Sequence, residues 1–243
     1  MSSRRLAPSW AAVVIALVGL GGGGAARAQD PVSALSGYVT LSSGYWKHGL
    51  AHNDGASLQL GIDYQHYTGF FAYARAINVD YPQNLPEQTR DVETSAYVGY
   101  HRRRAQWSWT ASLGTYIYPG AGDYDYDEVS ASVGFRDRVF YTASYNDEYY
   151  YAGGSSALNQ EVSVAFPLPR DIEIGGAVGY FDVSAGPKIT HWNVGVSKLV
   201  GRTALDLRYY DGNYEWRNYL GDPEADNYVL SVSYALRGKR SRN

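Results

Sequence analysis

Along most of the chain, apolar and polar side chains trade places at every second residue. Leu58, Leu60, Ile62 and Tyr64 alternate with Gln59, Gly61 and Asp63; Val129, Ala131, Val133 and Phe135 alternate with Ser130, Ser132 and Gly134. Trp107 to Ile117, Val139 to Asn146 and Tyr228 to Leu236 repeat the pattern. A period of two places one kind of side chain on each face of a β-strand. Helical periodicity is almost absent. The pattern predicts twelve strands, at 36–46, 56–66, 70–80, 92–101, 106–118, 126–136, 138–147, 157–167, 171–182, 190–199, 203–211 and 226–236. Most run about ten residues, against about 5–6 for an ordinary strand. That length matches the roughly 9–11 residues with which a tilted strand crosses a bilayer. The strand at 70–80 is ambiguous, because Arg75 shares a face with Phe71, Tyr73 and Ile77.

The connections alternate as well. Short ones fall at 67–69, 102–105, 137, 168–170 and 200–202; long ones at 47–55, 81–91, 119–125, 147–156, 183–189 and 212–225. An up-and-down meander with turns at one end and loops at the other produces this order, as transmembrane barrels do. A soluble sandwich would also alternate. Its solvated face would favour lysine, whereas here the polar face is built of Ser, Gly, Thr, Asn and Gln. An even strand number lets the sheet close, which satisfies every backbone group where lipid offers no partner. The predicted fold is therefore an all-β, antiparallel transmembrane β-barrel of about twelve strands.

The N-terminus adds an address. Arg4 and Arg5 precede an apolar run from Ala11 to Leu20, then Ala26-Arg27-Ala28. This is a secretory leader with a small-residue cleavage site, and the run is shorter than the roughly 20 residues of a spanning helix. The reading gives a signal peptide at 1–28, a barrel at 29–236 and a basic tail at 237–243, in the outer membrane of a Gram-negative cell. The leader carries three of the 21 basic residues and no acid, so 18 bases face 24 acids in the mature chain. No basic footprint for nucleic acid dominates. Cysteine is absent, so packing and ladder hydrogen bonds must hold the exported chain. The 24 tyrosines and six tryptophans suit membrane–water interfaces.

Several clusters carry candidate chemistry. Asp123, Asp125 and Asp127 have the spacing that opens a calcium loop, but Glu128 stands where the loop's glycine belongs and Gly134 where its glutamate belongs. No metal or cofactor is predicted. His48, His52 and His191 fall near the loop end with Ser43 and Asp54, the ingredients of a barrel lipid hydrolase; no G-x-S-x-G elbow accompanies them, and no enzymatic activity is predicted. The run His101-Arg102-Arg103-Arg104 sits at a short turn, either solvated or against lipid headgroups. Tyr45, Trp46, Trp107, Trp109, Tyr116, Tyr118, Trp192, Tyr209 and Tyr210 lie near strand ends and are expected mostly in an interfacial girdle.

Alternation also assigns a lumen. Asp63, Glu93, Tyr97, Tyr116, Glu128, Glu161 and Glu173 are placed inward with Gln59, Asn146, Asn159 and Asn193; Arg208 is the clearest inward cation. Tyr45, Lys47, His48, Tyr118 and His191 complete the predicted mouth. A pore so lined would be small and acidic and would disfavour anions.

These residues resemble a known family, the proteobacterial conserved proteins called Gcw_chp, also named TorF family porins. The likeness covers most of the mature chain. It rests on Ser43-Gly44-Tyr45-Trp46-Lys47-His48-Gly49, on Tyr116, Tyr118, Pro119, Gly120, Tyr124, Tyr126 and Glu128, and on His191-Trp192-Asn193-Val194-Gly195. His48 stands where the family has arginine and His191 where it has aspartate, so an ion pair between those positions has no counterpart here. The resemblance implies an outer-membrane barrel. Together the readings predict a narrow channel for passive passage of small polar or cationic solutes, with outer-membrane lipid as its surroundings. The alternatives are a non-conducting binding barrel and a lipid hydrolase.

Overall fold

The computed structural model describes residues 32–80, 91–149, 155–184, 186, 188–213, 227–236 and 240–242. The predicted leader and most of two predicted loops, 81–90 and 214–226, lie outside the described residues. The wall strands are β1 (Val32–Ser42), β4 (Ser57–Gln65), β5 (Phe70–Asn78), β6 (Val92–Arg104), β7 (Trp107–Ile117), β8 (Tyr126–Phe135), β9 (Val139–Tyr149), β10 (Ser155–Leu168), β11 (Ile172–Val183), β12 (Lys188–Val200), β13 (Thr203–Gly212) and β14 (Tyr228–Leu236). Each pairs antiparallel with its neighbour in the wall, and β14 pairs back onto β1, Gly37 opposite Leu236 and Ser42 opposite Ser231. These twelve strands close the barrel. Two short strands, β2 (Tyr45–Lys47) and β3 (Leu50–Asn53), form a separate hairpin within the first long loop. From the basic tail, β15 (Arg240–Arg242) runs beside Val32–Ala34 of β1.

The first strand is where the predicted bounds differ most, ending at Ser42 rather than residue 46. The Ser43 N–H still bonds the Leu230 carbonyl (2.9 Å), and its hydroxyl accepts from the Leu230 N–H (3.1 Å). Beyond that clamp the chain leaves the wall.

The faces segregate by chemistry. Leu41, Leu58, Leu60, Ile62, Val98, Leu113, Val129, Val178, Val194, Leu207 and Leu230 all point outward and are exposed, as lipid contact requires. Aromatic pairs band both ends. Phe70 meets Tyr100 and Trp107 meets Phe135 near the short turns; Trp192 meets Tyr209, and Tyr209 meets Tyr228, near the loops. Inward stand Thr40, Ser95, Ser112, Ser130, Ser144, Ser197, Ser231 and Ser233, all buried. Hydroxyl pairs bridge strands, including Thr40–Ser233 (2.8 Å) and Ser112–Ser130 (2.7 Å). The glycines of the polar face do more than keep it slim. A Cβ on Gly61 would overlap the Tyr38 ring, and one on Gly114 the Tyr97 ring. Each inward ring lies flat over a neighbouring strand's glycine, so large side chains fit inside a narrow cylinder.

Strand β5 settles the ambiguity around Arg75. Phe70 is exposed and Ile77 buried, so Phe71, Tyr73, Arg75 and Ile77 all face the interior. Ala72, Ala74 and Ala76 face lipid. This strand inverts the general rule because its inner face abuts a filled interior.

Candidate functional site

The hairpin β2–β3 folds into the mouth of the barrel. Its two-residue turn is His48-Gly49, both at positive φ (51° and 79°). A type I′ turn requires that geometry at both central positions. Gly49 is needed twice over, since a Cβ there would lie 2.6 Å from the His191 Cβ. The hairpin reaches walls all round the lumen. Trp46 stacks on Tyr210 of β13 (5.7 Å), His48 on Phe181 of β11 (4.7 Å), and Leu50 joins a buried cluster with Tyr97, Tyr116, Tyr126, Tyr149 and Phe181.

Its anchor is ionic. The Lys47 Nζ donates to the Tyr126 hydroxyl (2.9 Å), lies 3.8 Å from Glu93 Oε2 and sits 3.6 Å over the Tyr116 ring. Glu93, fully buried, also accepts from Arg75 Nη2 (2.7 Å), from the Tyr118 hydroxyl (2.8 Å) and from the Tyr45 hydroxyl (3.3 Å). A buried carboxylate persists only when paired and hydrogen-bonded, and here two cations and two phenols do so. Burial pushes the Lys47 ammonium below its usual range, against the pull of Glu93. Beside this cluster Tyr97 donates to Glu128 (3.2 Å).

The two departures from the family pattern meet. The His48 and His191 rings lie 6.2 Å apart, and His191 Nε2 donates to Asn159 Oδ1 (3.4 Å). Burial, with Lys47, His191 and His52 near, holds the His48 pKa well below its ordinary value, so the docked imidazole is neutral. The released hairpin regains the ordinary value of about 6.5. The docked state therefore binds fewer protons. Docking is fully favoured above about pH 6.5 and weakens as the pH falls below it. Single-channel conductance is expected to rise between about pH 7 and pH 5. His48→Asn, which tolerates positive φ without a titrating ring, is expected to flatten that rise; an unchanged pH profile in the variant would refute the assignment.

Below the hairpin the lumen is polar. Arg208 donates to Asn193 Oδ1 (2.7 Å) and forks onto Asp206 (3.2 and 3.4 Å), and Asp206 accepts from Ser197 (2.6 Å). Asp63 accepts from Ser36 (3.2 Å). Counted over Asp63, Glu93, Glu128, Glu161, Glu173, Asp206, Lys47, Arg75 and Arg208, six carboxylates face three cations. The cavity left beside the hairpin is only about 80 Å³, lined among others by Thr40, Gln59, Arg75, Asn159, Glu161 and Asn193.

The predicted residues sort as follows. Tyr45, Lys47, Glu93, Tyr116, Tyr118, Tyr97 and Glu128 meet in the anchor cluster; His48 and His191 meet at the hairpin tip; Glu161 and Arg208 lie inside the polar lumen, and Asp63 and Glu173 on the inward faces of β4 and β11. Tyr45, Trp46, Tyr116, Tyr118 and Tyr210 correct the girdle expectation, since they fill the interior while Trp107, Trp109, Trp192 and Tyr209 stand outside. Of the predicted hydrolase ingredients, His48 stacks on Phe181, His191 bonds Asn159 and Ser43 clamps Leu230. In the acidic loop, Asp125 accepts from the Tyr118 N–H (2.7 Å), which fastens the loop. Asp206, Tyr126 and Phe181 also belong to the lumen. The signal was present, for each shares parity with an inward neighbour: Arg208, Glu128 and Gly179.

A family model described as "Bacterial protein of unknown function (Gcw_chp)" matches residues 25–234. No curated protein matches the chain. Among solved structures, the chain is similar to a KdgM porin in complex with disordered oligogalacturonate, at 11% identity and a TM-score of 0.52, covering 84% of this chain and 99% of that one. It is similar to the NanC porin at 10% identity and a TM-score of 0.52, covering 86% and 99%. At such identities the likeness shows a shared porin-like barrel.

Proposed function

We infer that this chain, which belongs to the Gcw_chp family of bacterial proteins, is an outer-membrane channel for small polar and cationic solutes, throttled by its own first loop. The observation that carries the reading is that inside a lipid-facing barrel Glu128, Glu161, Asp63 and Glu173 face inward beyond the carboxylates that Lys47, Arg75 and Arg208 hold, with a cavity of about 80 Å³ beside the docked hairpin. Unpaired negative charge at close quarters attracts cations and repels anions. The outer-membrane setting follows from the barrel, which spans lipid without an edge, and from the predicted leader. No covalent chemistry enters this reading.

A second reading, a non-conducting binding barrel, draws on the same filled mouth. Planar-bilayer recording separates the two. The purified chain is expected to give a small, steady potassium chloride current whose reversal potential reports cation preference. Firm anion selectivity would overturn the charge assignment. Silence, both in the native chain and with the hairpin displaced, would leave the binding barrel.

A further inference from the structure

The cavity beside the hairpin is electrically lopsided. On one side stands Arg75 of β5, whose side chain is 8% exposed and whose Nη2 serves Glu93 and Tyr45. Its Nε–H is buried and has no partner. The hydroxyl of Ser95, directly opposite Arg75 in the β5–β6 ladder, is a second buried group without one. Lys47 lines the same side, so two cations share one carboxylate there. On the other side stands Glu161 of β10, five strands away around the ring of twelve. Its carboxylate makes no hydrogen bond or ion pair among the described residues, because Arg208 is committed to Asp206 and Asn193. Asn159 and Thr142 flank it in the cavity lining. Neutral groups (Thr40, Gln59, Ser231) line the space between.

We propose that this cavity is a binding site for a small zwitterion, an α-amino acid with little or no side chain. Its carboxylate accepts from the Arg75 Nε–H, and its ammonium donates to Glu161 and Asn159. The proposal rests on the channel reading and names a solute class for it. Size agrees with charge. Water-sized groups occupy about 10–15 Å³ each by this measure, so the cavity of about 80 Å³ takes about five to eight, the scale of glycine or alanine. A lone anion would leave Glu161 uncompensated and a lone cation would leave the Arg75 donor unmet, whereas a zwitterion satisfies both ends. An uncharged amide of the same size satisfies neither charge.

The test is saturable block of potassium current through the full chain in planar bilayers, with each variant normalised to its own current. Glycine and alanine are expected to block at lower concentration than acetate, ethylammonium or acetamide. Glu161→Gln keeps the shape and removes the charge; it is expected to raise the half-blocking glycine concentration about tenfold, as loss of a charge-assisted hydrogen bond does. Glu161→Asp, which keeps the charge, is expected to retain most of the preference. Equal block by glycine and acetamide, or an unchanged glycine response in Glu161→Gln, overturns the zwitterion site and leaves the channel standing. Absence of current under every condition overturns the channel and the site together.

Discussion

Replacing Glu93 with leucine is expected to destabilise the barrel by about 3–5 kcal/mol, read as a lower urea midpoint in lipid vesicles. The reason is the company this carboxylate keeps. Glu93 is fully buried between Lys47 and Arg75, with the Tyr118 and Tyr45 hydroxyls donating to it. Its loss strands two buried cations and two phenolic donors at once. Removing one member of a buried ionic cluster costs far more than the cluster as a whole contributes. The triple variant in which Lys47 and Arg75 also become methionine is therefore expected to recover most of the lost stability. A midpoint unmoved by Glu93→Leu, or a triple variant weaker than the single one, would count against the anchor.

Gly49→Val acts on function rather than on the wall. Valine at φ of 79° is strained by about 1–3 kcal/mol. Its Cβ would also lie 2.6 Å from that of His191. The clash vanishes once the tip leaves the mouth, and the strain once the undocked turn changes its conformation, because the wall does not depend on the turn. The hairpin is expected to swing out and conductance to rise several-fold, while the urea midpoint falls much less than in Glu93→Leu. The anchor at Lys47 opposes release, so Lys47→Met combined with Gly49→Val is expected to open further. Unchanged conductance in both would mean that the hairpin does not limit flow.

The two variants probe parts of the molecule that differ in how far they can be read from the chain. The wall was legible. Leu58 to Tyr64 or Trp107 to Ile117 needs only local alternation to assign each side chain to a face, because a strand between lipid and lumen has two chemically opposite sides. Length and connection order then dictated a closed meander, since an open edge in lipid leaves backbone groups unpaired. The same parity placed Glu93, Glu128, Glu161 and Arg208 inward.

Alternation falls silent where its premise fails. Strand β5 carries aromatic and aliphatic residues inside and alanines outside, because the interior beside it is packed with side chains rather than solvent. Tyr116 and Tyr118 follow the same logic: at strand ends they resemble a girdle, but parity and the hairpin's arrival make them interior packing. The decisive event, the first long loop turning into the mouth, was beyond any local pattern. Tyr45 to Asn53 reads as a loop with a His-Gly turn, and nothing nearby in sequence says where the turn points. Its destination depends on contacts with Glu93, Tyr126, Phe181 and His191, between 46 and 143 positions away by residue number (Lys47 to Glu93, His48 to His191). A lipid-facing cylinder with an acidic, hydroxyl-lined interior was written in the chain alone, since side-chain period and strand length are local properties. That the hairpin docks in the mouth and that Arg75 and Glu161 line one small cavity is not local, because it depends on which distant walls closure of the barrel brings together.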